Sequence, residues 1–113
     1  MIFCKMLLYM LALHAVADFP AQGPFLSAGK NRRETPYGSW IPWYYLMASH
    51  AVIHAGAVLW ITNSLTCALA ESVIHFATDT AKCEGKISNR TDQGIHIGCK
   101  VLWATLTVWV HLP

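Results

Sequence analysis

The sequence predicts an all-α fold, a four-helix transmembrane bundle that takes up residues 1–113 as a single membrane domain. Three observations predict it. Charged residues make up only 12% of the chain and hydrophobic residues 55%, too few charges for the polar shell of a soluble domain of this size. Four apolar stretches of about twenty residues each match a bilayer core of ~30 Å. Five Trp and four Tyr suit the membrane–water interface, where amphipathic rings settle.

The first helix is expected over residues 2–19, apolar except for Lys5, His14 and Asp18. Lys5, a leucine-rich run and Ala15-Val16-Ala17 together look like a signal peptide with its cleavage site. His14 and Asp18 are out of place in such a leader and have counterparts later in the chain, so the segment reads as part of the bundle. Pro20 and Pro24 stop it. Residues 20–41 form a basic loop, and Pro42 serves as the first residue of a second helix over 42–61. Thr62-Asn63-Ser64 turns the chain into a third helix over 65–82. A second basic loop, 83–90, precedes a fourth helix over 91–112 with Thr91 as its N-cap. Gly94 and Gly98, with Ala48, Ala51, Ala55 and Gly56, are expected to let the helices approach closely.

Two antiparallel hairpins put both loops on one side. That side carries Lys30, Arg32, Arg33, Lys82, Lys86 and Arg90, and the other only Lys5. The positive-inside rule places the loops in the cytoplasm and both termini outside. A net charge of +2 lacks the electrostatic footprint of a nucleic-acid binder. Cys4, Cys67, Cys83 and Cys99 form no CxxC pair, which excludes zinc-ribbon and thioredoxin-like sites. They read as free buried thiols, with a Cys4–Cys67 disulfide as the alternative.

Against the apolar background a regular pattern of polar residues stands out. His14 and Asp18 lie in the first helix, and His50 and His54 in the second. Glu71, His75 and Asp79 lie in the third, and Asp92 and His96 in the fourth. Every step is four residues, so each set shares one helix face. An ionisable group at membrane depth costs at least about 2.5–3.5 kcal/mol, and nine of them need mutual neutralisation or a cation. Di-metal carboxylate bundles are built on this logic. Neutral imidazoles with carboxylates suit a divalent transition metal, zinc foremost and manganese or iron as alternatives, one ion or two. Counted from the Asn63 turn, His50 and His75 are level, which places the site in the half nearer the basic loops. His111 has no partner at helical spacing.

Four segments, His14-x3-Asp18-Phe19-x2-Gln22, His50-x3-His54, His75-Phe76-x2-Asp79-x2-Lys82 and Asp92-Gln93-x2-His96, make the chain resemble the DUF3307 family of small bacterial and phage membrane proteins. The resemblance implies a multi-pass protein of the bacterial inner membrane and brings no settled activity with it. Glu71 lies outside that family pattern. The chain is similar in style, less in sequence, to membrane-bound metal-dependent hydrolases.

The expected function is a metal-dependent hydrolase acting on a phosphoester or lipid-derived substrate at the bilayer surface. His14, Asp18, His50, His54, His75, Asp79 and His96 are the expected ligands. Asp92 is a ligand or general base, and Glu71 a base or the hydrogen-bond partner of a liganding histidine. Gln22 and Gln93 fit behind the ligands. Lys30, Lys82 and Lys86 face a substrate phosphate or anionic lipid. The alternatives are a metal-stapled envelope factor without catalysis and a metal or proton carrier.

Overall fold

Helices α1 (Ile2–Asp18), α2 (Gly23–Gly29), α3 (Trp43–Thr62), α4 (Leu65–Cys83) and α5 (Asn89–Thr105) follow one another in the computed structural model. It describes residues 1–111 and 113. A π-helical turn, Leu106–Val110, continues α5, and the expected helix end near residue 112 falls outside the described residues. Among the described residues the fold is all-helical, as the sequence predicts.

Helices α3 and α4 form a hairpin, and α1 closes the ring by packing on α3 and α5, with α4 and α5 in contact opposite it. Asn63 ends α3 in the left-handed region (φ 54°), a conformation that Asn tolerates. Ser64 caps α4 by accepting a hydrogen bond from the Cys67 N–H at 3.2 Å.

Three local expectations are corrected. The loop predicted over 20–41 contains α2, set at 82° to α1. Pro24 does not block helix there, because in the first turn its missing N–H removes no intrahelical bond. Pro42 is the extended residue before α3 rather than its first residue (ψ 133°). Ser88, not Thr91, caps α5, accepting from the Thr91 N–H at 3.1 Å, so the helix starts two residues sooner than expected.

Among the described residues, α3 is the one helix that is long and apolar enough to cross a membrane by itself; α1 and α2 reach that standard only as a bent pair. Of the four expected spans, only α3 has the length and hydropathy by itself, among the described residues. Helix α4 carries Glu71, Asp79 and Lys82, and α5, only 17 residues long, carries Asp92 and Lys100.

Burial is inverted relative to an ordinary soluble domain. Among the described residues, fifteen polar or charged ones are buried, against ten hydrophobic ones. Large apolar side chains instead face outward: Leu65, Leu69 and Val73 along α4, Val52, Ile53 and Trp60 along α3, Leu8 and Val16 along α1. The apolar interior is a cluster of Met10, Val58, Cys67, Trp103 and Ala104 toward the Asn63 end. Gly94 and Gly98 do not mediate the expected helix contact, since a Cβ at either would meet nothing within 4 Å. The four cysteines are free thiols, with Cys67 buried and Cys4 exposed.

Candidate metal centre

The four-residue steps bring one face of each of α1, α3, α4 and α5 to a common interior. Asp18 Oδ1, at the C-terminal end of α1, is the focus. His54 Nε2 lies 2.9 Å from it, His50 Nε2 3.2 Å and His75 Nε2 3.8 Å. Asp18 Oδ1 and all three Nε2 atoms are buried without a hydrogen-bond partner. Ligands around a tetrahedral ion with bonds of ~2.0–2.2 Å stand about 3.3–3.6 Å apart, and the observed separations bracket that spacing. Asp18, His50, His54 and His75 together fit one metal ion.

With both rings neutral, the form in which imidazole binds a metal, the tautomer of His54 follows from its neighbours. Gln93 Nε2 donates to Asp18 Oδ2 at 2.8 Å, which fixes the amide and turns its oxygen toward His14 Nε2 at 3.1 Å. His14 must donate there, so His14 Nδ1 carries a lone pair. That nitrogen faces His54 Nδ1 at 3.4 Å, so His54 donates from Nδ1 and its Nε2 is unprotonated. A lone pair then points at a carboxylate oxygen 2.9 Å away, an arrangement that a shared cation stabilises and that is repulsive without one. His14 thus stands behind the four donors and sets the tautomer of one of them.

A second group adjoins the first. His96 Nε2 lies 3.2 Å from Asp92 Oδ1 and 3.5 Å from Asp79 Oδ1. Lys82 Nζ bridges the same two acids, 3.0 Å from Asp79 Oδ1 and 2.9 Å from Asp92 Oδ2. Buried Lys30 donates to Asp79 Oδ2. Lys30 and Lys82, expected to face a phosphate, are therefore engaged by internal carboxylates. Lys86 lies outside the centre and pairs with Glu84 at 2.7 Å, as does Arg32 at 2.7 Å. The Lys86 hydrogen bond, with the charge of Arg32, holds the Glu84 carboxyl below its ordinary range.

Glu71 sits on the far side of His75. It accepts from Lys100 Nζ and from Trp103 Nε1 (2.6 Å), and its Oε1 faces His75 Nδ1 at 3.4 Å. Carboxylates behind a liganding histidine orient the ring, and this position suits that role better than a base in contact with substrate. Lys100 and Trp103 are the residues that sequence reasoning missed. The signal was present, because Lys100 continues the Asp92–His96 step and Trp103 follows on the same face. Lys100→Met leaves the Glu71 carboxylate buried without its cation and should cost about 3–5 kcal/mol. Lys100→Met/Glu71→Gln should recover most of that loss, as read by unfolding followed by circular dichroism in detergent.

Four buried carboxylates, Asp18, Glu71, Asp79 and Asp92, thus lie with two buried lysines, Lys30 and Lys100, and the partly exposed Lys82. Of these four acids, Asp18 is the one with no lysine or arginine on it. It also lines a cavity of about 560 Å³ at the basic-loop end, with Gln22, Lys30, Asn31, Lys82 and Gln93. His111 is exposed beyond α5, away from the centre.

No protein-family model, curated protein or solved structure matches the chain.

Proposed function

We propose that the chain is a membrane-embedded, metal-dependent hydrolase. It binds a divalent transition ion on Asp18, His50, His54 and His75 and acts on a phosphoester or lipid-derived substrate. The observation that carries the metal reading is the relay from Gln93 through His14 to His54, which leaves an Nε2 lone pair facing Asp18 Oδ1. Three imidazoles with one carboxylate suit zinc. Membrane placement is supported by the inverted burial, with apolar side chains outward on α1, α3 and α4. A multi-pass location in a bacterial inner membrane, the cytoplasmic placing of the basic loops and kinship with the DUF3307 proteins belong to the same proposal, resting on the charge asymmetry and the four motif segments.

Access favours catalysis over transport. Asp18 borders the polar cavity at one end, whereas the Met10, Val58, Cys67 and Trp103 cluster closes the other. Bound there, a divalent ion would lower the pKa of a water toward ~7 and polarise a substrate oxygen. The chain supplies the rest. Lys82, whose side chain is a quarter exposed and borders the cavity, offers positive charge to the developing phosphoryl oxygens. Asp92 holds Lys82 in place at 2.9 Å, and its second oxygen, buried 3.2 Å from His96 Nε2 without a hydrogen bond, is the proton acceptor of this reading. Attack of water on phosphorus breaks the bond to the leaving oxygen, which takes up a proton as the alcohol departs.

One observation favours the staple reading: four protein donors fill a tetrahedral shell, as in structural zinc sites. The deciding experiment is release of p-nitrophenol from bis(p-nitrophenyl) phosphate, and of phosphate or headgroup from phospholipid, by the full chain in detergent. Hydrolysis that disappears with a chelator and returns with Zn²⁺ or Mn²⁺ is expected. Fully loaded protein no faster than the metal-free form on either substrate would leave the staple.

A further inference from the structure

We propose that Asp79, Asp92 and His96 form a second cation position, which the Lys82 ammonium fills in place of a second metal ion. Asp79, Asp92 and His96 are completely buried. Asp92 Oδ1 and both ring nitrogens of His96 lack a hydrogen-bond partner, although His96 Nε2 lies 3.2 Å and 3.5 Å from carboxylate oxygens. Those separations match the spacing around Asp18 Oδ1, so the three donors fit one shared ion.

Asp79 joins the two positions. Its Oδ2 lies 3.3 Å from His50 Nε2 on the first side, and its Oδ1 lies 3.5 Å from His96 Nε2 on the second. A carboxylate with one oxygen toward each of two histidine groups is the bridging element of a dinuclear centre. What differs here is Lys82. Its Nζ lies within 3.0 Å of both acids, supplying one positive charge where an ion would supply two. Both lysines border the cavity, but the Lys30 side chain is 5% exposed and that of Lys82 24%, so Lys82 has somewhere to withdraw to. Two carboxylate oxygens with one imidazole are a harder donor set than the first group and suit Mn²⁺.

The inference does not require the first position to be filled, and the test separates the two. The full chain, saturated with Zn²⁺ in detergent, is titrated with Mn²⁺, and bound Mn²⁺ is counted from the loss of the free-ion electron paramagnetic resonance signal. Lys82→Met should bind one more equivalent of Mn²⁺ than the wild type, and Lys82→Met/Asp92→Asn should lose that equivalent. Zinc content, measured alongside, reports on the first position alone. Folded Lys82→Met with no additional Mn²⁺ overturns the second position whatever the zinc content. Should Lys82→Met be unfolded without metal, recovery of helix on adding Mn²⁺ supports the proposal. Failure of both Lys82→Met and Lys82→Gln to recover at saturating Mn²⁺ overturns it, since an ion would then not stand in for the ammonium.

Discussion

Replacing His75 with alanine is expected to strip the protein of its metal and lower its melting temperature, while replacing His111 should do neither. His75 is the middle ring of three stacked imidazoles, 3.8 Å from His54 and 4.0 Å from His96 between centroids. Its Nε2 faces Asp18, and its Nδ1 faces Glu71. Partners behind a ligand are worth about 10–100-fold in metal affinity, so loss of the ligand itself should cost at least about 100-fold. The variant also leaves a cavity in the middle of the buried polar cluster, which adds to the loss of stability. His111 is exposed past the end of α5, and its removal touches none of this. Metal content by elemental analysis and thermal melts of both variants make the comparison. Equal effects from the two would dismiss the convergent centre.

The centre was legible in the sequence because a polar residue inside an apolar helix is costly. His14/Asp18, His50/His54, Glu71/His75/Asp79 and Asp92/His96 announce their common face by spacing alone. The level placing of His50 and His75 also follows from counting along a hairpin with a short turn, and their rings lie 5.0 Å apart. Other features depend on tertiary partners that spacing cannot reveal. Lys30 reads as an exposed loop cation because nothing local shows that it reaches Asp79, whereas Lys82 lies three residues past Asp79 on the same helix and its pairing has a local signal. Helix α2 was missed because Pro20 and Pro24 read as terminators, although a proline in a first turn starts a helix as readily as it ends the one before. Gly94 and Gly98 have the spacing of a contact face but lie on the outer side of α5, a choice that the helical period leaves open.

The same geometry divides two acids that the sequence leaves equivalent, and their variants should behave differently. Glu71 is held by Lys100 and Trp103 behind His75, so Glu71→Gln should weaken metal binding by about 10–100-fold through the orientation of that ring. Activity should return when excess Zn²⁺ restores occupancy. Asp92 is outside the Asp18 donor set, anchors Lys82 at the cavity wall and keeps one oxygen unpartnered. Asp92→Asn should therefore retain the first ion and the fold, and lose activity by about 10²–10⁴-fold, the usual worth of a proton-transfer group. No amount of Zn²⁺ should restore it. In a staple, by contrast, any biological effect follows occupancy and stability, so a folded, loaded and inactive variant cannot occur. Occupancy, melting temperature and phosphoester release measured side by side for Asp92→Asn and Glu71→Gln separate the two. Full activity of Asp92→Asn with the ion bound would remove Asp92 from the reaction, and the absence of phosphoester release from the fully loaded wild type would end the hydrolase reading.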